Sequence, residues 1–222
     1  MAPYAPNSDF VDHDDVWEGF RFHSFIVKEL VPFVRNYLHG SSDPDKNLIS
    51  GNSMGCAATW QFGLAHPDLF GYVGPLCNQP LDYKYLEPFR NMSGEEFREY
   101  ASEHPVRTAY GIDSGTMHAK ELSSICRYPT VGAFLDSYEN TFARFQELAE
   151  KHNLPKIFLS GADSECRWGA QMASFHLYCE KNEIQNIVFD MYRCETHNSA
   201  FWEESVERFL DYAGIVKLRD LE

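Results

Sequence analysis

The chain has 222 residues, 44% of them hydrophobic and 23% charged, with 19 Lys and Arg against 33 Asp and Glu for a formal net charge of −14. That length suits one domain with a substantial core, and so acidic a surface without a basic block argues against nucleic acid as a partner. No stretch reaches the roughly 18 apolar residues of a membrane span, and "MAPYAPNSDFVDHDD" lacks the basic and apolar regions of a signal peptide, so a cytoplasmic location is favoured over a secreted one.

Along the chain, residues 16–39 return apolar side chains every three or four positions and predict a helix, with a kink or a new first turn at Pro32. "NLISGN" (47–52) reads as a short buried strand, 54–66 as a helix of small and apolar residues, and 69–78 as a second buried strand. Residues 79–130 are less regular and form a cap-like insertion in which "SGEEFREYASEH" is a capped short helix. A long amphipathic helix is expected over 131–152, a third strand over 156–163, a helix over 167–182, a fourth strand over 186–193, and a final helix at the C-terminal end. Strands alternating with helices indicate βαβ units around a parallel sheet.

In such a sheet, functional groups gather where strands end. Ser53 follows the first strand inside "GNSMG", Asp163 follows the third and His197 the fourth. A serine hydroxyl needs a base to accept its proton, imidazole titrates near neutral pH, and a carboxylate orients the imidazole. Gly51 and Gly55, at −2 and +2 from Ser53, leave room for a sharp strand-to-helix turn, and the Met54 N–H faces the oxyanion. Glu165 and Asp113 are alternatives to Asp163 as the acid. Trp168 and Trp202, together with Tyr83, Tyr85, Phe89, Phe97, Tyr100, Tyr110 and Tyr128 of the insertion, are candidates to wall an acyl pocket, though packing roles are favoured for most of them. The six cysteines contain no CxxC pair and read as mostly reduced, buried thiols. No HxxxH or grouped Asp/His pattern occurs, so neither metal nor cofactor is expected.

The stretch "ISGNSMGCAATWQFGLAHPDLFGYVGPLCN" (49–78) resembles the nucleophile region of α/β-hydrolase esterases of the esterase D type, a group that includes feruloyl and acetyl xylan esterases, S-formylglutathione hydrolases and mycolyltransferases. The tail "THNSAFWEESVERFLDYA" (196–213) is similar to their histidine loop and last helix. The resemblance implies a three-layer α/β sandwich with a mostly parallel sheet, Ser53 as nucleophile, His197 as base and an acid from the loop at 161–165. In relatives the aspartate sits three residues after that loop's glycine, a position held here by Ser164, with Asp163 one place early. Relatives also carry an N-terminal sheet portion whose loop gives a second oxyanion N–H. Nothing before Ser53 is similar to it, so the fold is expected to be N-terminally shortened, with an exposed sheet edge that a homodimer partner would cover. By resemblance the substrate is a small acyl, feruloyl or acetyl ester of a carbohydrate, or a thioester such as S-formylglutathione. The alternative is a catalytically impaired relative that binds carbohydrate or a partner protein.

Overall fold

The computed structural model describes residues 3, 10–12, 21–104, 106, 117, 119–162, 166–192, 198–215 and 217. Among the described residues, four strands, β1 (Leu48–Gly51), β2 (Tyr72–Pro75), β3 (Lys156–Ala162) and β4 (Ile187–Tyr192), form one sheet in sequence order with every pairing parallel. Each connection therefore returns the chain to the same end of the sheet, and crossovers of one hand in one direction put their helices on one face. Those helices are α3 (Met54–Ala65), α7 (Thr141–Glu150) and α8 (Cys166–Lys181). They share a core built of Trp60, Leu64, Phe145, Leu148, Met172 and Phe175 over Val73, Ile157 and Leu159 of the sheet. Side chains alternate along a strand, so Phe158 points to the opposite face, where it meets Leu76 and Phe209 of α9 (Ser199–Tyr212). The result is helices, sheet, helix: a three-layer α/β fold.

Before β1, α1 (Phe22–Phe25), a π-helical turn (Ile26–Leu30) and α2 (Val31–Tyr37) run on without a break. Pro32 lacks an N–H and its ring crowds the carbonyl four residues back, and the wide turn before it relieves that conflict. The expected break at Pro32 is thus present as a change of helix type. This segment packs on α3 through Ile26, Ala58, Phe62 and Phe70. Among the described residues β1 is an edge strand, with Ser50 exposed, and a cleft of about 450 Å³ follows it, lined by Ile26, Leu30, Val31, Ile49, Phe62 and Phe70 among others.

Two expected elements differ. The helix anticipated over 131–152 is two helices, α6 (Val131–Leu135) and α7, because polar side chains between them take over the backbone groups that end α6. The Ser137 hydroxyl donates to the Phe134 carbonyl at 2.7 Å and the Asn140 amide to the Leu135 carbonyl at 2.8 Å. The second strand, expected over 69–78, spans only Tyr72–Pro75. Its start is fixed by Gly71, whose N–H reaches the Pro44 carbonyl at 2.8 Å and whose added Cβ would lie 2.6 Å from that oxygen. Past Pro75 the chain leaves the ladder for the N-terminal end of α3.

Between β2 and α6, α4 (Gly94–Glu103) and α5 (Ala119–Ile125) carry a second apolar cluster. Ser93 and Glu96 close a reciprocal cap on α4, as "SGEE" predicts. Among the described residues, no helix is long and apolar enough to cross a membrane.

Candidate active site

The chain between β1 and α3 turns so sharply that Ser53 adopts φ 53° and ψ −118°. Few side-chain-bearing residues hold a positive φ, and such strain costs about 1–3 kcal/mol unless the surroundings impose it. Here they do. The Gly55 N–H bonds the Asn52 carbonyl at 2.8 Å and the Cys56 N–H bonds the Ser53 carbonyl at 3.0 Å, while the Leu76 N–H from the β2 end holds the Gly51 carbonyl at 3.1 Å. Ser53 stands exposed at the top of the turn.

The two glycines of the motif have different roles. A Cβ on Gly51 would lie 2.4 Å from the Gly55 carbonyl oxygen and 2.5 Å from its carbon, so α3 can start this close to β1 only over a glycine. A Cβ on Gly55 would meet nothing within 4 Å. The expectation that both glycines avoid clashes is corrected: Gly51 is the steric requirement, and Gly55 supplies the backbone that approaches it.

Met54 opens α3, so its N–H belongs to the first turn, where amides have no partner within the helix. No acidic residue in that turn offsets the positive end of the helix dipole. The arrangement suits developing negative charge beside Ser53.

The end of β2 completes the floor. Cys77 accepts the Ser53 N–H on its sulfur at 3.1 Å, and the Trp60 indole N–H from α3 donates to the Asn78 carbonyl at 2.7 Å. Gln79 donates to Gln171 of α8 at 2.8 Å, joining this segment to the helix after β3. Among the described residues, the Asn52, Asn78 and Gln79 side-chain oxygens and the Gln171 side-chain nitrogen are buried with no hydrogen-bond partner. Cys77, Asn78, Gln79 and Gln171 were missed as site residues, although a signal existed: "CNQ" follows a strand end just as Ser53 does.

Of the predicted site residues, Ser53 and Met54 stand at this turn. Asp163, Glu165, Asp113, His197 and Tyr110 lie outside the described residues, as does the side chain of Trp168. The flanks of the two loops are described: β3 ends at Ala162 and α8 opens at Cys166, and β4 ends at Tyr192 before Asn198 caps α9 by accepting the Phe201 N–H at 2.9 Å. The ends of β1, β3 and β4 lie on one edge of the parallel sheet, so Ser53 and both loops start from the same side. Trp202 is partly buried and packs against the main core with α9. The insertion aromatics Tyr83, Tyr85, Phe89, Phe97, Tyr100 and Tyr128 pack mainly on one another, around Leu86, Ile125 and Phe134, as the favoured packing role had it. Among the described residues, no group of three His, Cys, Asp or Glu side chains could hold a metal ion.

A parallel sheet topped by an exposed serine in a strained strand-to-helix turn defines the α/β-hydrolase class. Residues 13–106, which include this turn, match the family described as "Putative esterase". Comparison with curated protein sequences finds no match. Among solved structures, the chain is similar to "FphF, Staphylococcus aureus fluorophosphonate-binding serine hydrolases F, substrate bound". The TM-score is 0.61 at 15% identity, over 95% of this chain and 69% of that one. It is similar too to the S-formylglutathione hydrolase FrmB from Staphylococcus aureus, with TM-score 0.56 and 14% identity over 91% of this chain and 68% of that one. A ferulic acid esterase aligns with TM-score 0.51 and 13% identity, over 92% of this chain and 63% of that one. At these identities the structural likenesses establish the fold.

Proposed function

We propose that the chain hydrolyses carboxylic esters through an acyl-enzyme on Ser53, with His197 as general base and Asp163 as the acid that orients it. The observation that carries this reading is the exposed Ser53 at φ 53° directly ahead of α3. In this scheme Ser53 Oγ attacks the ester carbonyl carbon while His197 takes its proton, and the Met54 N–H at the start of α3 stabilises the oxyanion. Collapse of the tetrahedral species breaks the bond to the alkoxide, which leaves with the proton from His197. Water then repeats the sequence on the acyl-enzyme and releases the acid. Chain order and the common side of the three strand ends support the roles of His197 and Asp163.

The ferulic acid esterase and the S-formylglutathione hydrolase among the structural neighbours support small acyl and feruloyl esters as the substrate class. The amide oxygens of Asn52, Asn78 and Gln79 and the amide nitrogen of Gln171, near the turn and without a partner among the described residues, suit an alcohol portion rich in hydroxyls, such as a carbohydrate. The test is covalent labelling by a fluorophosphonate probe, followed by a panel of p-nitrophenyl acyl and feruloyl esters. Labelling is expected in the wild type and lost in Ser53→Ala and His197→Ala. A folded wild type that takes no label would overturn the esterase reading in favour of a relative that only binds its ligand.

A further inference from the structure

Directly beneath the nucleophile lie two thiols from different elements. Cys56 sits in the first turn of α3, one residue past the motif's second glycine, and Cys77 follows the end of β2. They are 0% and 1% exposed, are thiols with no disulfide between them, and are hydrogen-bonded to each other. Each also holds part of the turn. Cys77 Sγ accepts the Ser53 N–H at 3.1 Å, while Cys56 Sγ donates to the Asn78 carbonyl at 3.4 Å and accepts the Asn78 N–H at 3.3 Å.

We propose that Cys56 and Cys77 are a redox-active dithiol: a small peroxide closes them into a disulfide, and closure takes the Cys77 sulfur away from the Ser53 amide. The geometry sets the consequence. A disulfide requires the sulfurs to be about 2.0 Å apart, well inside hydrogen-bond distance, with its own dihedral preference. The sulfur that seats Ser53 must therefore move toward α3, and the first turn of α3, which begins with the Met54 N–H, is drawn the other way. Both halves of the catalytic turn respond to one bond.

Burial selects the oxidant. Neither thiol is open to a bulky disulfide such as that of glutathione, whereas hydrogen peroxide is little larger than water. Burial, and then the hydrogen bond with Cys77, hold the Cys56 thiol well above its ordinary range. Cys77 Sγ accepts the Ser53 N–H at the mouth of α3, and it is the sulfur whose oxidation bears directly on the turn. The Cys77 thiolate attacks one peroxide oxygen, the O–O bond breaks, and hydroxide leaves to become water. Cys56 sulfur then displaces the hydroxyl from the Cys77 sulfenic acid, forming the S–S bond and releasing a second water as the Cys56 proton is lost. Two thiols give up two electrons and two protons, and one peroxide is reduced to two waters.

The effect on turnover rests on the esterase reading above, but the bond and its effect on the turn do not. Fully reduced chain is treated with hydrogen peroxide, alkylated, and mapped by mass spectrometry without reduction. Amide hydrogen exchange of the peptide around Ser53 and ester turnover are read alongside. A Cys56–Cys77 cross-linked peptide is expected, together with faster exchange at Ser53 and a loss of turnover of about tenfold to a hundredfold. Dithiothreitol, which does not reduce methionine sulfoxide, restores all three, and Cys56→Ala gives no cross-linked peptide. Two separately alkylated thiols in a folded, peroxide-treated chain would overturn the proposal, as would a cross-link that leaves exchange at Ser53 unchanged. A reduced chain that neither turns over esters nor takes a fluorophosphonate counts against the esterase reading alone, and the cross-link and exchange still decide this one.

Discussion

Replacing Gly51 by alanine and, separately, Gly55 by alanine tests the geometry of the turn, because the structure assigns the two glycines opposite outcomes. The new Gly51 Cβ would lie 2.4, 2.5 and 2.9 Å from the Gly55 O, C and Cα, all backbone atoms that cannot rotate aside. Restoring the 3.4 Å of ordinary van der Waals contact displaces the start of α3 by about 1 Å. Overpacking of this kind costs about 1–3 kcal/mol, and moving the Met54 N–H by that distance from the reacting atoms costs roughly a hundredfold in kcat. Gly55→Ala meets open space and gains helix propensity, so its stability should rise by up to about 1 kcal/mol. Urea unfolding gives the stability difference, and p-nitrophenyl ester turnover gives the rate. If Gly51→Ala keeps the wild-type urea midpoint, or if the two variants lose stability equally, the close approach of α3 to β1 is refuted.

Ser53→Gly removes the strain of a side chain at φ 53° and should be more stable than Ser53→Ala by about 1 kcal/mol in urea titrations, while both are inactive. Equal stabilities would mean that the turn is not strained. Trp60→Phe removes the indole N–H that holds the Asn78 carbonyl at 2.7 Å within the core, at a cost of about 1–3 kcal/mol by the same measurement. His23 is 8% exposed, stacks on Phe62, lies tilted against Tyr138, and contacts His66 through its Nε2 at 2.9 Å; burial first, then His66 and Lys28, outweigh Asp12 and hold it down to about 4. The unfolded chain takes up a proton near pH 6.5 and the folded chain only near 4, so this contribution is full above pH 6.5 and lost as pH falls to 4, by up to about 3 kcal/mol. The pH dependence of urea unfolding should flatten in that window in His23→Phe, and an unchanged slope would refute the assignment.

The fold was legible where one local rule acted alone. Apolar runs bounded by turn residues gave all four strands, and "GNSMG" gave the sharp turn, since few other local sequences permit a serine at positive φ between a strand and a helix. The failures came where tertiary contacts overrode a period. Residues 131–152 keep a helical repeat of apolar positions throughout, so periodicity could not show that Ser137 and Asn140 cap α6 from beyond its end. Nor could it show Tyr138 turned onto His23 from a distant helix, with ring centroids 4.2 Å apart. "LFGYVGPLCN" reads as one strand because Leu76 and Cys77 are as apolar as the residues that pair, yet the ladder stops at Pro75.

That shortened strand alters the reading of the site. If β2 ran on to Asn78, Cys77 would be a ladder residue and its sulfur would point to one face of the sheet. Because the chain leaves the sheet after Pro75, it crosses the first turn of α3, and Cys77, Asn78 and Gln79 meet Ser53, Trp60 and Gln171 in turn. The rule that function gathers at strand ends pointed to Ser53, but applied only to residues with obvious chemistry it passed over a cysteine and two amides. The Ser53 backbone is thus seated by a side chain 24 residues later in the sequence. The strain at Ser53 is sustained from both sides, by Gly51 under the helix and by Cys77 under the amide, so a change at either should reach the same atom.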